Sequence, residues 1–100
     1  MTRIDFVKQI EATYKKCLGI LEKKNKDYAG ETDPWRNFRW SELADIDVPH
    51  AIMVRILDKM ARISNLLTKE ADVKEEKIED TIEDAINYLA ILLAFLKDNK

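Results

Sequence analysis

The chain has 100 residues, with 19 acidic side chains, 17 basic ones, one histidine and one cysteine, for a formal net charge of -2. That balance argues against a general nucleic-acid binder, which carries a basic excess on one face, and a single cysteine excludes an internal disulfide. One hundred residues make one domain, 1–100, whose core is limited, so burial shared with a second copy would add stability and a homo-oligomer is expected. With no apolar leader pattern and no run of about 18 uncharged apolar residues, the expectation is a soluble protein of the cytoplasm without a membrane partner.

Two glycines and two prolines leave few interruptions, and apolar positions recur at three and four. The fold class is all-α: three main helices plus short helical turns, a bundle completed by oligomerisation. The first helix is expected over about 3–24. Thr2 and Asp5 resemble a capping box, and Val7, Ile10, Tyr14, Cys17 and Leu21 form a stripe widened by Phe6 and Leu18. Cys17 reads as a small core residue rather than a reactive thiol. Gly19 is a misfit costing about 1 kcal/mol relative to alanine, and it would permit a close helix crossing.

Residues 28–40 then hold four of the eight aromatic side chains, Tyr28, Trp35, Phe38 and Trp40. Arg36 and Arg39 are interleaved, and Lys24 and Lys26 precede them. A connector is normally polar, so these rings either plug the core or wall a pocket in which a base stacks while the cations meet phosphate. Trp35, nearer Gly30 and Pro34, is expected to be the platform, and Trp40, next to the restart at Ser41, the plug.

Ser41 would cap a short turn ending near Ala44. Asp47 followed by Pro49 begins a second long helix to about 67. Its expected buried stripe is Ile52, Met53, Ile56, Leu57, Met60, Ile63 and Leu67, with Arg55, Asp58, Lys59 and Arg62 on the other side. His50 falls in the first turn, in a capping or solvent role. A polar connector over about 68–74 leads to a last helix over about 75–97. In its first half Ile78, Ile82, Ala85 and Ile86 share one side, and Glu76, Asp80, Glu83, Asp84 and Asn87 the other. Residues 88–96 carry no charge, so that half must be covered all round.

Asp80 and Asp84, at i and i+4, have the spacing with which carboxylates share a hard cation such as Mg²⁺ while phosphate completes its shell. For Glu75, Glu76 and Glu79 a solvated face near a helix N-terminus is the simpler reading. For Asp80, Asp84 and Asn87 both readings stay open, because their face turns apolar one turn later. Ion pairing with Arg55, Asp58, Lys59 and Arg62 across two antiparallel helices would look the same in sequence.

The series Lys24-Asn25-Lys26-Asp27-Tyr28, Trp35 with Asn37-Phe38, Arg55-x-x-Asp58-Lys59-x-x-Arg62 and Asp80-Thr81-x-x-Asp84-x-x-Asn87-Tyr88 resembles the phage-associated nucleotide-modification-associated domain 1 family. The resemblance spans about 18–95. More loosely, the chain is similar to the MazG-like all-α nucleoside triphosphate pyrophosphohydrolases, which bind Mg²⁺ through acids on two helices. It departs from their Glu-x-x-Asp pattern, offering Asp80 and Asp84 with Thr81 at the intervening motif position, and Asp58 stands alone beside Lys59 and Arg62. Cations there repel a metal but attract phosphate.

The resemblance implies a nucleotide or other phosphate-bearing ligand. The expected mechanism is Mg²⁺-assisted pyrophosphohydrolysis, with Asp58, Asp80 and Asp84 on the metal and Asp80 and Asp84 catalytic. Arg55, Lys59 and Arg62 would hold phosphate, Trp35 or Tyr28 would stack the base, and Lys26, Asn37 and Asn87 complete the ligand set. The alternatives are a non-catalytic phage-encoded binder that sequesters a linear or cyclic nucleotide in the host cytoplasm, and a helical interaction module.

Overall fold

A computed structural model describes residues 1–28, 32–69 and 77–99. They form α1 (Arg3–Tyr28), α2 (Arg36–Arg39), a 3₁₀ turn (Trp40–Ala44), α3 (Val48–Thr68) and α4 (Ile78–Asp98), with no strand among them. The all-α class is therefore correct. The expected connector and the start at Glu75 and Glu76 fall largely outside the described residues.

The helix ends follow from local chemistry. The Asp5 amide donates to Thr2 Oγ1 at 3.1 Å, satisfying one orphan donor of α1. Asp47 caps α3 by accepting the His50 amide at 2.9 Å, and His50 Nδ1 lies 2.7 Å from the same carboxylate oxygen. The backbone bond first, and the imidazole second, hold the Asp47 carboxyl below the usual range. His50 is thus a cap partner. α1 continues one turn past the expected end, and nothing between Lys24 and Tyr28 breaks a helix.

The centre is a hairpin of α3 and α4. Val48, Ile52 and Ile56 are buried, and Trp35, Phe38, Tyr88, Ile91, Leu92 and Phe95 pack on them. Lys59, farther along α3, meets Asp84, earlier on α4, so the two helices run antiparallel. The connector aromatics close one side of this core. Asp33 accepts the Trp35 amide and pairs with Arg39, which fixes the turn into α2. From there Trp35 Nε1 donates to the Ile91 carbonyl at 3.2 Å, and the indole meets Phe95 edge-on at 5.3 Å between centroids. Phe38 meets Tyr88 the same way at 6.2 Å.

Trp40 corrects the expectation. It is 71% exposed, while Trp35 and Phe38 supply the plug. Proximity to a helix start does not bury a ring; the Asp33 turn decides which rings point inward.

α1 attaches to α4 through polar groups. Asn87 Nδ2 donates to the Cys17 carbonyl at 3.0 Å, and Lys16 reaches Glu83 at 3.0 Å. Glu83 and Asn87 are buried against α1, and Thr81 is buried too, whereas Ile82 is exposed. On this row, for which two readings are open, Glu83 and Asn87 turn inward while Asp80 stays exposed, and Ala85 of the apolar side is buried as well. Cys17 is buried, and loss of water pushes its thiol up, as an inert core residue requires. The expected stripes are only partly covered: Val7, Ile10 and Tyr14 on α1, Met53, Leu57, Met60 and Leu67 on α3, and Leu89, Leu93 and Leu96 on α4 stand exposed.

A Cβ built on Gly19 meets nothing within 4 Å, so no close crossing requires the glycine. Gly19→Ala should raise the denaturation free energy by about 1 kcal/mol through helix propensity alone. Trp35→Ala should cost about 3 kcal/mol, as for a core aromatic, while Trp40→Ala stays within about 0.5 kcal/mol. Urea midpoints of the three variants check these values.

Candidate functional site

The most developed polar constellation lies where α1, α3 and α4 meet. Lys24 of α1 reaches Asp84 Oδ1 at 3.0 Å, and Lys59 of α3 reaches Asp84 Oδ2 at 3.1 Å. Each oxygen of one carboxylate thus receives an ammonium from a different helix. The Asp84 side chain is 24% exposed. Burial pushes its carboxyl up, but the bonds from Lys24 and Lys59 outweigh that and hold it below the usual range.

These three groups line a cavity of about 240 Å³. Its walls carry amides and rings: Asn37, Asn87, Phe38 and Tyr88. Asn87 is oriented by its bond to the Cys17 carbonyl. Beside the cavity runs a groove of about 860 Å³, walled by Trp35 and Lys26 and floored by Ala90 and Ala94 of α4. Leu21, Asn25, Pro34 and Ile91 line both spaces and form the seam between them.

Of the sequence-expected ligand residues, Asn37, Lys59 and Asn87 share the cavity with Asp84, while Lys26 and Trp35 fall on the groove. Arg55, Arg62, Asp58 and Asp80 line neither space. The side chain of Tyr28 lies outside what is described. Asn25 and Lys24 were not among the expected site residues. The signal available for them was spacing: Asn25 stands four residues after Leu21, and Lys24 one turn before Tyr28.

Asp58, Asp80 and Asp84 are not gathered into one three-acid group among the described residues. Asp58 and Asp80 are exposed, both oxygens of Asp84 are taken by lysines, and among the described residues no group of three or more His, Cys, Asp or Glu is placed to hold a metal. A cation at Asp84 would have to displace two ammonium groups from it.

No protein-family model matches the chain, and no curated protein or solved structure is similar enough to count as a relative. The chemistry of the cavity carries the functional reading.

The depressed Asp84 carboxyl has a pH consequence. Its stabilising contribution is complete above the ordinary carboxylate range and is lost as pH falls through the lower folded value. Asp84→Asn removes charge with little change of shape, so the variant should be less stable at pH 7 by about 1 to 3 kcal/mol. Its stability should also fall less steeply than that of the native chain below about pH 4. Denaturation midpoints across that range give both quantities.

Proposed function

We propose that the chain is a nucleotide-binding protein whose cavity receives the phosphate of a nucleotide between Lys24 and Lys59. The observation that carries this reading is the convergence of two lysines, from two helices, on one partly buried carboxylate inside a cavity walled by amides and rings. Lys24 and Lys59 both bring their ammonium groups to the Asp84 carboxylate at the wall of the cavity. An incoming phosphate gains charge-assisted bonds from each, in a partly desolvated space where such bonds are strongest. The flanking rings and amides suit the flat, hydrogen-bonding remainder of a nucleotide better than a bare inorganic anion.

Binding without turnover is the form the site supports. Mg²⁺-dependent pyrophosphohydrolysis needs carboxylates free to take a metal, and Asp84 is engaged on both oxygens. The function is then capture of a nucleotide, linear or cyclic, and a phage setting for it follows from the family resemblance.

We also read the chain as a homo-oligomer. Three helices each leave an apolar row open, and on α4 Ile82, Leu89, Leu93 and Leu96 repeat at seven, four and three with exposures between 39% and 53%. That is the spacing of a helix seam, and a second copy offers the same rows.

Thermal-shift and calorimetric titration with nucleoside mono-, di- and triphosphates and cyclic nucleotides, with and without Mg²⁺, tests the binding. Lys59→Met should weaken the best ligand by tenfold or more, since a hydrogen bond to a charged group is worth about 1.5 to 3 kcal/mol. Hydrolysis that appears only with Mg²⁺ would replace capture by catalysis. Light scattering should give a multiple of the 11.7 kDa chain mass, and paired Leu89→Glu and Leu93→Glu should return it to one chain.

A further inference from the structure

The seam between the two spaces contains a side chain whose orientation is forced. Asn25 Nδ2 donates to the Pro34 carbonyl at 3.0 Å. A carbonyl oxygen can only accept, so the amide nitrogen must face it and the amide oxygen must face away. Among the described residues no hydrogen bond occupies that oxygen. It is an accepting group at the seam that the cavity and the groove share.

Ala90 and Ala94, one turn apart on α4, are small side chains that line the groove together with the Trp35 indole, a lining with room for a planar ring. Trp35 itself is held by its bond to the Ile91 carbonyl and its contact with Phe95, so its face needs no ordering when a ligand arrives. In order along the surface come the lysine pair of the cavity, the Asn25 acceptor at the seam and the Trp35 groove. A nucleotide presents its parts in that same order: phosphate, a sugar whose hydroxyls donate, and a planar base.

We propose that the Trp35 groove takes the base of the nucleotide and that Asn25 accepts a hydrogen bond from its sugar hydroxyl, which makes Asn25 the residue that reads the sugar. This rests on the nucleotide reading of the cavity and adds to it a second compartment and a preference. The ligand class is a nucleotide with a free ribose hydroxyl, held at three points across the seam.

Calorimetric titration with inorganic pyrophosphate, ribonucleoside triphosphates and their 2′-deoxy and 3′-deoxy counterparts tests it on the native chain, Lys59→Met, Asn25→Ala and Ala94→Leu. The native chain should prefer the ribonucleotide over one deoxy form by about five- to tenfold, the worth of one neutral hydrogen bond. Asn25→Ala should bring that ratio to one, a change that a merely structural loss would not produce. Ala94→Leu narrows the groove and should weaken nucleotides at least tenfold while pyrophosphate binds as before. Equal affinity for all three sugars, a ratio that survives Asn25→Ala, or full nucleotide affinity in Ala94→Leu would each overturn the assignment. In those cases pyrophosphate binding that is lost in Lys59→Met leaves the lysine pair standing as the phosphate site. If neither pyrophosphate nor any nucleotide binds, both readings fall together. Should Asn25→Ala fail to fold, the sugar ratio of the native chain and Ala94→Leu decide.

Discussion

One carboxylate shared between two ammonium groups fixes where three helices meet. Lys24, Lys59 and Asp84 come from α1, α3 and α4, and the 3.0 and 3.1 Å contacts require all three backbones to stay in register. Hydrophobic burial is non-directional and tolerates sliding, whereas a charge-assisted pair holds one geometry. With only five apolar side chains buried among the described residues, the directional contacts help set the arrangement of α1.

The α1–α4 seam extends that logic. Asn87 to the Cys17 carbonyl and Lys16 to Glu83 are polar contacts placed where a larger protein would interleave leucines. Glu83 is 8% exposed, and its Oε1 is the one buried side-chain oxygen without a partner among the described residues. Removing Lys16 would therefore leave a buried charge uncompensated, a larger penalty than the pair's own net worth.

Much of the fold was legible because its signals are local. Thr2 and Asp47 cap the helices that sequence assigns to them, and the periodicity of α3 and α4 marks both. The pairing of the cationic side of α3 with the acidic side of α4 was also foreseeable, since Lys59 and Asp84 stand on the polar sides of neighbouring helices. Three features were not legible. α4 is apolar nearly all round in its second half, so periodicity could not tell which row faces α1, and Glu83 went inward while Ile82 stayed out. The roles of Trp35 and Trp40 depend on where the Asp33 turn lands, which is a tertiary outcome. For Asn25 the sequence offers only its spacing from Leu21 and its place in the Lys24–Tyr28 run; the contact with Pro34, nine residues away, is a tertiary outcome.

Lys24 belongs to α1 and Lys59 to α3, and Asp84 is the only group through which they meet in the contacts described. On the proposed reading, an anion that bridges both lysines would cross-link α1 and α3 directly. Linkage would then be mutual: the factor by which docking of α1 raises affinity for the anion is the factor by which the anion favours docking of α1. Occupancy by a small molecule would be felt along the open apolar row of α1, a surface that the molecule never touches.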